Sequence, residues 1–355
     1  MMSILSAYLM RTILISTLLV LIVLLAIATL FEFISELDNI MGDYGIAQAL
    51  QFSILFVPQL SIQMLPMATL IGALLGLGGL ASNSELVVMR SAGLSVGGLA
   101  GMVAMTGVIL MVISAMTGEF IGPPLDHFAR NMRTEARFQQ SERTSGHAAW
   151  LKDGPVILHL ERVNSEFEFG GIYLFRFNED GSLRSVGRAE NSGIDDSDKW
   201  ILENYRETRF QDDGIQVVES PLAVESFDVS GDLLGITLMK PVSLSVRGLS
   251  SYIGYLKKNS LSSGRYEIEL WSRIARTVTI VIMPVLALTF VLGLSRSSSA
   301  GSRLMIGVLI GLGYYLATQV IANFGQVYDF NPAFVTWLPS LALLAVTAFA
   351  LDRVR

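Results

Sequence analysis

The feature that most constrains this chain is where its charges are absent. Of 56 charged side chains (25 basic, 31 acidic) in 355 residues, 43 fall between Glu119 and Arg276, which leaves 13 for everything else. Two long apolar blocks therefore flank one polar insert. Charged residues make up 16% of the chain, against about a quarter in a soluble domain; the pattern is that of a membrane protein. A net charge of −6 argues against the basic surface that nucleic-acid binding requires. With no cysteine, disulfides, thiolate metal sites and thiol nucleophiles are excluded.

Thr12 to Phe31 is 20 residues without a charge, about 30 Å of helix and the thickness of a hydrocarbon core. Ala26-Ile27-Ala28 resembles a signal-peptide cleavage site, but the apolar run is longer than the usual ~7 to 15 residues and continues past it. The next charge-free stretch, Tyr44 to Ser84, has 41 residues and admits either one crossing or a hairpin near Pro58 or Pro66. Charge parity decides. With a single crossing, Arg11, Arg90, Arg296, Arg303, Arg353 and Arg355 share one side, and the short loops opposite hold Glu32, Glu36, Asp38, Asp43 and Asp329 without Lys or Arg. That is the positive-inside distribution. The sequence thus predicts an outer interfacial segment near 46–56 and a span over 57–81. Further spans follow over 96–121, 277–294, 304–322 and 334–351, six in all. Both termini are expected to be cytoplasmic and the insert outside; its own 19 Lys and Arg do not conflict, because long loops translocate largely regardless of charge.

Within the insert, turn signals at Asp153-Gly154, Gly170-Gly171, Asp180-Gly181, Asp195-Asp196, Asp213-Gly214 and Ser230-Gly231 separate short apolar runs. Candidate strands are 156–163, 172–177, 183–189, 200–210, 215–218 and 223–229, which favours an antiparallel sandwich or jelly roll. The expected division is residues 1–140 (three spans with a short cytoplasmic helix near 83–92), 141–247 (the β-domain) and 248–355 (a linker and three spans). The β-domain's exposed edges suit a partner strand, and a solvated accessory domain is the alternative.

Catalytic signals are weak. None of the five lysines sits in Gly-x-x-x-x-Gly-Lys-Ser/Thr, so no P-loop exists. Mid-span positions hold no ionisable residue, which argues against ion coupling. His127, His147 and His159 lack helical metal-ligand spacing, and no metal or cofactor is expected. Gly93-Leu94-Ser95-Val96-Gly97 matches a nucleophile elbow but lacks the strand before it.

Ser82 and Glu85 have capping-box spacing, and Gly93 suits a helix stop, which predicts a helix of two to three turns carrying Leu86, Val87, Val88 and Met89. A groove on a protein partner and the lipid surface are both open destinations. Gly72 with Gly76, Gly118 with Gly122, and Gly307 with Gly311 have the spacing of close helix packing, within the chain or at a subunit seam. Beyond Pro123 and Pro124 a continuing helix aligns Arg130, Arg133 and Arg137. Guanidinium groups there match a lipid phosphate, while a local Asp126–Arg130 pair is the more ordinary reading.

The run Leu65-Pro66-Met67 through Gly72-Ala73-Leu74-Leu75-Gly76-Leu77-Gly78 to Ser84-Glu85-Leu86-Val87-Val88-Met89-Arg90-Ser91-Ala92-Gly93 closely resembles the lipopolysaccharide-export permease family, LptF/LptG. So do Gly118-Glu119-Phe120 with Ala129-Arg130-Asn131-Met132-Arg133, and Gly264-Arg265-Tyr266 with Leu270-Trp271-Ser272, the last being nearer the LptG branch. The resemblance covers essentially the whole chain. It implies a non-enzymatic half of an ABC transporter that pairs with LptF, sits on a cytoplasmic LptB ATPase dimer, extracts lipopolysaccharide from the inner membrane and passes it toward LptC and the periplasmic LptA bridge. Ser84, Glu85, Leu86, Val87, Met89 and Arg90 would then couple to the ATPase. Spans one and five would form lateral gates, and Arg130 and Arg133 would match the family's basic positions near lipid phosphates, with Arg137 on the same face. The chain departs from some members of the family where span one leaves the membrane: lysines that those members carry are replaced by Glu32, Glu36 and Asp38, which speaks against phosphate contact there unless divalent cations bridge it. A non-transporting membrane scaffold and a membrane-embedded lipid-modifying enzyme are the alternative classes.

Overall fold

The computed structural model describes residues 2–138, 148–161, 168–169, 171–195, 199–211, 213–227, 233–234, 237, 240–293, 300–328 and 330–354. Outside these lie the Arg137 side chain, Arg143, His147, Val163, Gly170, Asp196, Val229, Ser230, Gly231, Arg296, Asp329 and Arg355. Two compact units form, Met1–Thr134 with Gly264–Arg355, and Glu135–Ser263. Residues 248–263, the expected linker, fall in the second unit.

In the helical unit, six helices are long and apolar enough to cross a membrane: Ile4–Leu37, Val57–Ser82, Val96–Thr134, Gly264–Gly293, Gly301–Val327 and Pro332–Arg353. Helix α1 (Met2–Leu37) contains neither glycine nor proline and runs 36 residues unbroken. A short α2 (Ile46–Leu55) precedes α3 (Val57–Ser82), whose Pro58 sits in the first turn, where a missing N–H costs nothing. The 41-residue apolar stretch thus resolves into one short helix and one long one. After α4 (Glu85–Ser91), helix α5 (Val96–Met116) passes through a π-helical turn, Thr117–Ile121, into α6 (Gly122–Phe138). Pro123 and Pro124 explain the turn: they cannot donate to the preceding carbonyls, and the loosened ladder lets the helix continue.

After α7 (Val246–Lys258) of the other unit, the three remaining long helices are α8 (Gly264–Gly293), α9 (Ala300–Val327) and α10 (Pro332–Val354). Leu9 and Ile13 of α1, Leu70, Leu74 and Leu77 of α3, Leu99 and Val103 of α5, and Met283 and Leu286 of α8 fill the core. Lipid is as apolar as these side chains, so close packing holds such helices together more than burial does. A Cβ on Gly72 would overlap the Thr17 backbone, and one on Gly76 would lie 3.0 Å from Ser16 Oγ. One on Gly307 would lie 2.9 Å from Leu74 Cδ1, and one on Gly311 2.7 Å from Met67 Cγ. All four glycines therefore meet this chain's own helices. Buried hydroxyls add a directional knot: Thr279 of α8 donates to Ser340 of α10 at 2.8 Å, and Tyr314 of α9 donates to Thr279 at 3.0 Å.

The other unit is an antiparallel sheet of strands β1 (Ala149–Asp153), β2 (Val156–Leu160), β3 (Glu168–Phe169), β4 (Ile172–Phe177), β5 (Leu183–Ala189), β6 (Asn191–Ile194), β7 (Trp200–Gln211) and β8 (Gly214–Glu225). Its order is β1-β2-β4-β5-β7-β6-β3, with β8 on β7. The sheet curls at β7, whose first half pairs β6 (Ile194 opposite Trp200) and whose second half pairs β5 (Arg188 opposite Arg206). Between the halves Asn204 adopts φ +50°, and the inward positions step from Leu202 to Tyr205 in β7 and from Ser220 to Ala223 in β8, so the two strands change face together without a change of register. The two strands expected at 215–218 and 223–229 are one strand, β8. Pro221 reads as a break in sequence, but it faces Asn204, where the β7–β8 ladder skips one pair and keeps its register. Helix α7 (Val246–Lys258) caps the β1 edge: Tyr255 Oη donates to the Lys152 carbonyl and accepts from its N–H, both at 3.0 Å.

Candidate functional site

Two clusters in the helical unit gather the residues singled out from the sequence, one at each end of α1. At the N-terminal end lies α4. The expected capping box does not form: Ser82 remains the last residue of α3 and donates to the Gly79 carbonyl at 2.8 Å, while the N-cap is Ser84 at φ +61° without a side-chain cap. The stop does form. Gly93 takes φ +99°, its N–H donates to Arg90 at 3.0 Å and that of Leu94 to Met89 at 3.3 Å, the two bonds of a Schellman motif.

This stop turns Leu86 and Met89 into the core beside Leu9 and Leu99. They anchor α4 and are unavailable to a partner. Val87 is 42% exposed and Val88 64%, so the face open to contact is formed by Ser84, Val87, Val88, Arg90 and Ser91. Glu85 lies at its edge, accepting from Tyr8 Oη at 2.9 Å and from Asn83 Nδ2 at 3.4 Å. Ser95, the residue of the nucleophile-like motif, accepts from Gly98 N–H at 3.1 Å as the N-cap of α5, with a helix and not a strand before it.

At the C-terminal end of α1, α6 brings Arg130 and Arg133 against carboxylates. Arg130 Nε donates to both oxygens of Asp126, at 2.9 and 3.1 Å, and Asp126 is 1% exposed. This is the local pair anticipated from the spacing. Arg133 Nη1 donates to both oxygens of Glu36, at 3.1 and 3.3 Å. Glu36 is 3% exposed and also accepts from Tyr44 Oη at 2.9 Å. The guanidiniums lie over Phe56 (6.0 Å) and Phe52 (4.9 Å) of the α2 segment. Each arginine side chain stays 23% exposed and spends a single nitrogen on its carboxylate. The remaining N–H groups have no hydrogen-bond partner among the described residues. Arg137 is on the same helix.

Glu36 is therefore the counter-ion of the basic site, which accounts chemically for an acid where span one ends. Its role was not legible because 97 residues separate it from Arg133. The coupling set Ser84, Glu85, Leu86, Val87, Met89 and Arg90 leaves out Val88 and includes Leu86 and Met89, because a seven-residue helix leaves its phase undefined until the Schellman stop fixes it. Among the described residues no group of three or more His, Asp or Glu is placed to hold a metal.

Six crossing helices interrupted by a curled antiparallel domain, with an apolar two-turn helix after the second crossing, match the family model "Lipopolysaccharide export system permease LptF/LptG" over residues 7–353. The chain belongs to the LptF/LptG family. Lipopolysaccharide export system permease protein LptG of Escherichia coli K12 is 32% identical over 99% of this chain and 98% of that protein. LptG of Haemophilus influenzae is 30% identical over 94% of each. LptF of E. coli K12 is 24% identical over 96% of this chain and 92% of that protein. Within the family the chain is thus more similar to these LptG proteins than to this LptF. Both clusters at the ends of α1 fall inside the matched region.

Proposed function

We propose that this chain is the LptG-type permease subunit of a lipopolysaccharide exporter of the bacterial inner membrane. The carrying observation is the family match along the whole chain, with all six crossing helices and the β-domain inside it. On this reading the termini and α4 are cytoplasmic and the β-domain is periplasmic, as the distribution of Arg among the loops favours. The homologous partner is an LptF, and energy comes from an LptB ATPase dimer that receives Val87, Val88 and Arg90. Short apolar residues held outward on an anchored helix suit a groove, and Leu86 and Met89 support that face from behind.

Arg130 and Arg133, with Arg137, receive the phosphates of lipopolysaccharide. Each guanidinium bound through one nitrogen retains a fork of donors that fits a phosphate. Their carboxylate partners hold them in place without exhausting them. Extracted lipid then moves to the β-domain and on toward LptC and LptA.

The test is ATP hydrolysis in the complex purified through a tag on this chain. Val88→Glu, on the exposed face, is expected to lose copurifying ATPase while the chain remains abundant in the membrane, and Val246→Glu on α7 is expected to keep it. ATPase retained at full level by Val88→Glu would remove α4 from the docking surface. Absence of any ATPase with the intact wild-type chain would remove the transporter reading.

A further inference from the structure

The two clusters are joined by one element. Helix α1 carries Tyr8 near its start and Glu36 near its end, 28 residues apart, or about 42 Å of helix. Every other crossing helix contains an internal glycine or proline: Pro66 in α3, Gly107 in α5, Pro284 in α8, Gly307 in α9 and Pro339 in α10. Those residues are where helices bend, and α1 has none. At one end its Tyr8 hydroxyl donates to Glu85 of α4, and at the other its Glu36 accepts from Arg133 of α6. Between them α1 lies against α3 where Gly72 and Gly76 bring the two backbones together at Thr17 and Ser16. Its opposite face leaves Leu18, Leu19, Ile22 and Val23 exposed. Smooth, small-residue seams permit small sliding of packed helices better than interlocked large side chains do.

We propose that α1 is a rigid rod that carries movement of α4 to the Glu36–Arg133 pair, with Tyr8 and Glu36 as the positioning residues at its two ends. The inference rests on the permease reading above and deepens it. Leu86 and Met89 seat α4 on an apolar core that α1 shares through Leu9, a contact that can slide. The Tyr8 bond is directional, so a tilt of α4 pulls α1 along its axis. The displaced Glu36 leaves Arg133, which turns its whole donor fork to an incoming phosphate. When α1 returns, Glu36 reclaims the guanidinium and the lipid is released. The carboxylate is thus a competitor for the arginine whose position is set from the far side of the membrane.

The experiment uses the full complex in proteoliposomes containing lipopolysaccharide, with a photocrosslinker at exposed Phe128 on α6. ATP hydrolysis and the ATP-dependent change in lipopolysaccharide crosslinking are read together. Tyr8→Phe removes only the hydroxyl. It is expected to leave hydrolysis within about twofold while reducing the ATP-dependent change about threefold to tenfold, the factor one hydrogen bond to a carboxylate sets at an exposed site. Tyr8→Lys, which restores a donor to Glu85, is expected to recover it. Ala26→Gly combined with Ala28→Gly softens the middle of α1 without touching either end, and is expected to uncouple in the same way. Tyr8→Phe with an undiminished ATP-dependent change would overturn the rod. So would hydrolysis and crosslinking falling in equal proportion, which would make Tyr8 a docking contact only. A wild-type complex that hydrolyses ATP without any change at the probe would instead remove the permease reading itself.

Discussion

Both units bury a carboxylate among arginines, and the two sites differ in how completely the charges are used. In the sheet, Glu207 accepts from Arg176 Nη1 at 2.7 Å, Ser185 Oγ at 2.7 Å and Arg209 Nη2 at 2.8 Å, and Arg176 reaches on to Glu225 at 2.6 Å. Donors from three directions converge on one acid, and the network closes on itself. In the helical unit, Glu36 and Asp126 each hold one nitrogen of an arginine that keeps further donors toward the outside. A closed network specifies a fold. An open one keeps capacity for a ligand. On the proposed function, the same residue types serve stability in one unit and recognition in the other.

The largest effect expected from this contrast is at the closed site. Glu207→Ala removes the acceptor shared by Arg176, Ser185 and Arg209, leaving Arg176 with Glu225 and Tyr205, and should destabilise the sheet by about 3 kcal/mol, the upper end for unsatisfied buried donors. Faster hydrogen–deuterium exchange across β5 and β7 is the readout. Glu36→Gln keeps an amide oxygen that still accepts from Arg133, and should cost about 1 kcal/mol. An equal loss at both positions would erase the distinction.

Next in size, the helical unit relies on backbone approach where the sheet relies on charge. Gly72→Val forces a side chain into Thr17 of α1 and should cost about 1–3 kcal/mol, seen as reduced membrane abundance. Gly313→Ala, with nothing within 4 Å of the added carbon, should be silent.

Smaller again is the pH response. Burial pushes the Glu207 carboxyl up, but hydrogen bonds from Ser185 and Arg209 and the charge of Arg176 outweigh it, and the group titrates below the ordinary value of 4.5. Its contribution is therefore present above about pH 4.5 and is lost as pH falls through the lower folded value. Exchange in β7 should rise in that acid window, and Glu207→Gln should flatten the rise. Smallest is Tyr314→Phe, which removes one arm of the Thr279–Ser340 knot and should shift thermal unfolding of the helical unit by about 0.6 kcal/mol.

Much of the architecture is legible in the sequence. Charge-free runs mark spans because lipid admits few charges, and the Arg asymmetry distinguished one crossing from two over 44–84. The extension of span three past Pro123 followed from its polar continuation. Positions set by tertiary partners were not legible. The merging of 215–218 and 223–229 into β8 depends on pairing with β7 that keeps its register past Asn204 and Pro221, and the loss of the Ser82 capping box depends on α3 running one residue further. At the site, the three arginines and the α4 segment could be named, while Glu36, Val88 and Tyr8 required the helices to be packed. An acid closing an otherwise apolar helix was the available signal for Glu36.

The central claim is that Arg133 is shared between Glu36 and a lipid phosphate, and lipopolysaccharide crosslinking near α6 tests it most directly. Glu36→Gln, which weakens the competitor, should increase crosslinking, and Arg133→Gln should decrease it with membrane abundance unchanged in both. Unaltered crosslinking in Arg133→Gln, or a decrease in Glu36→Gln, would contradict the account.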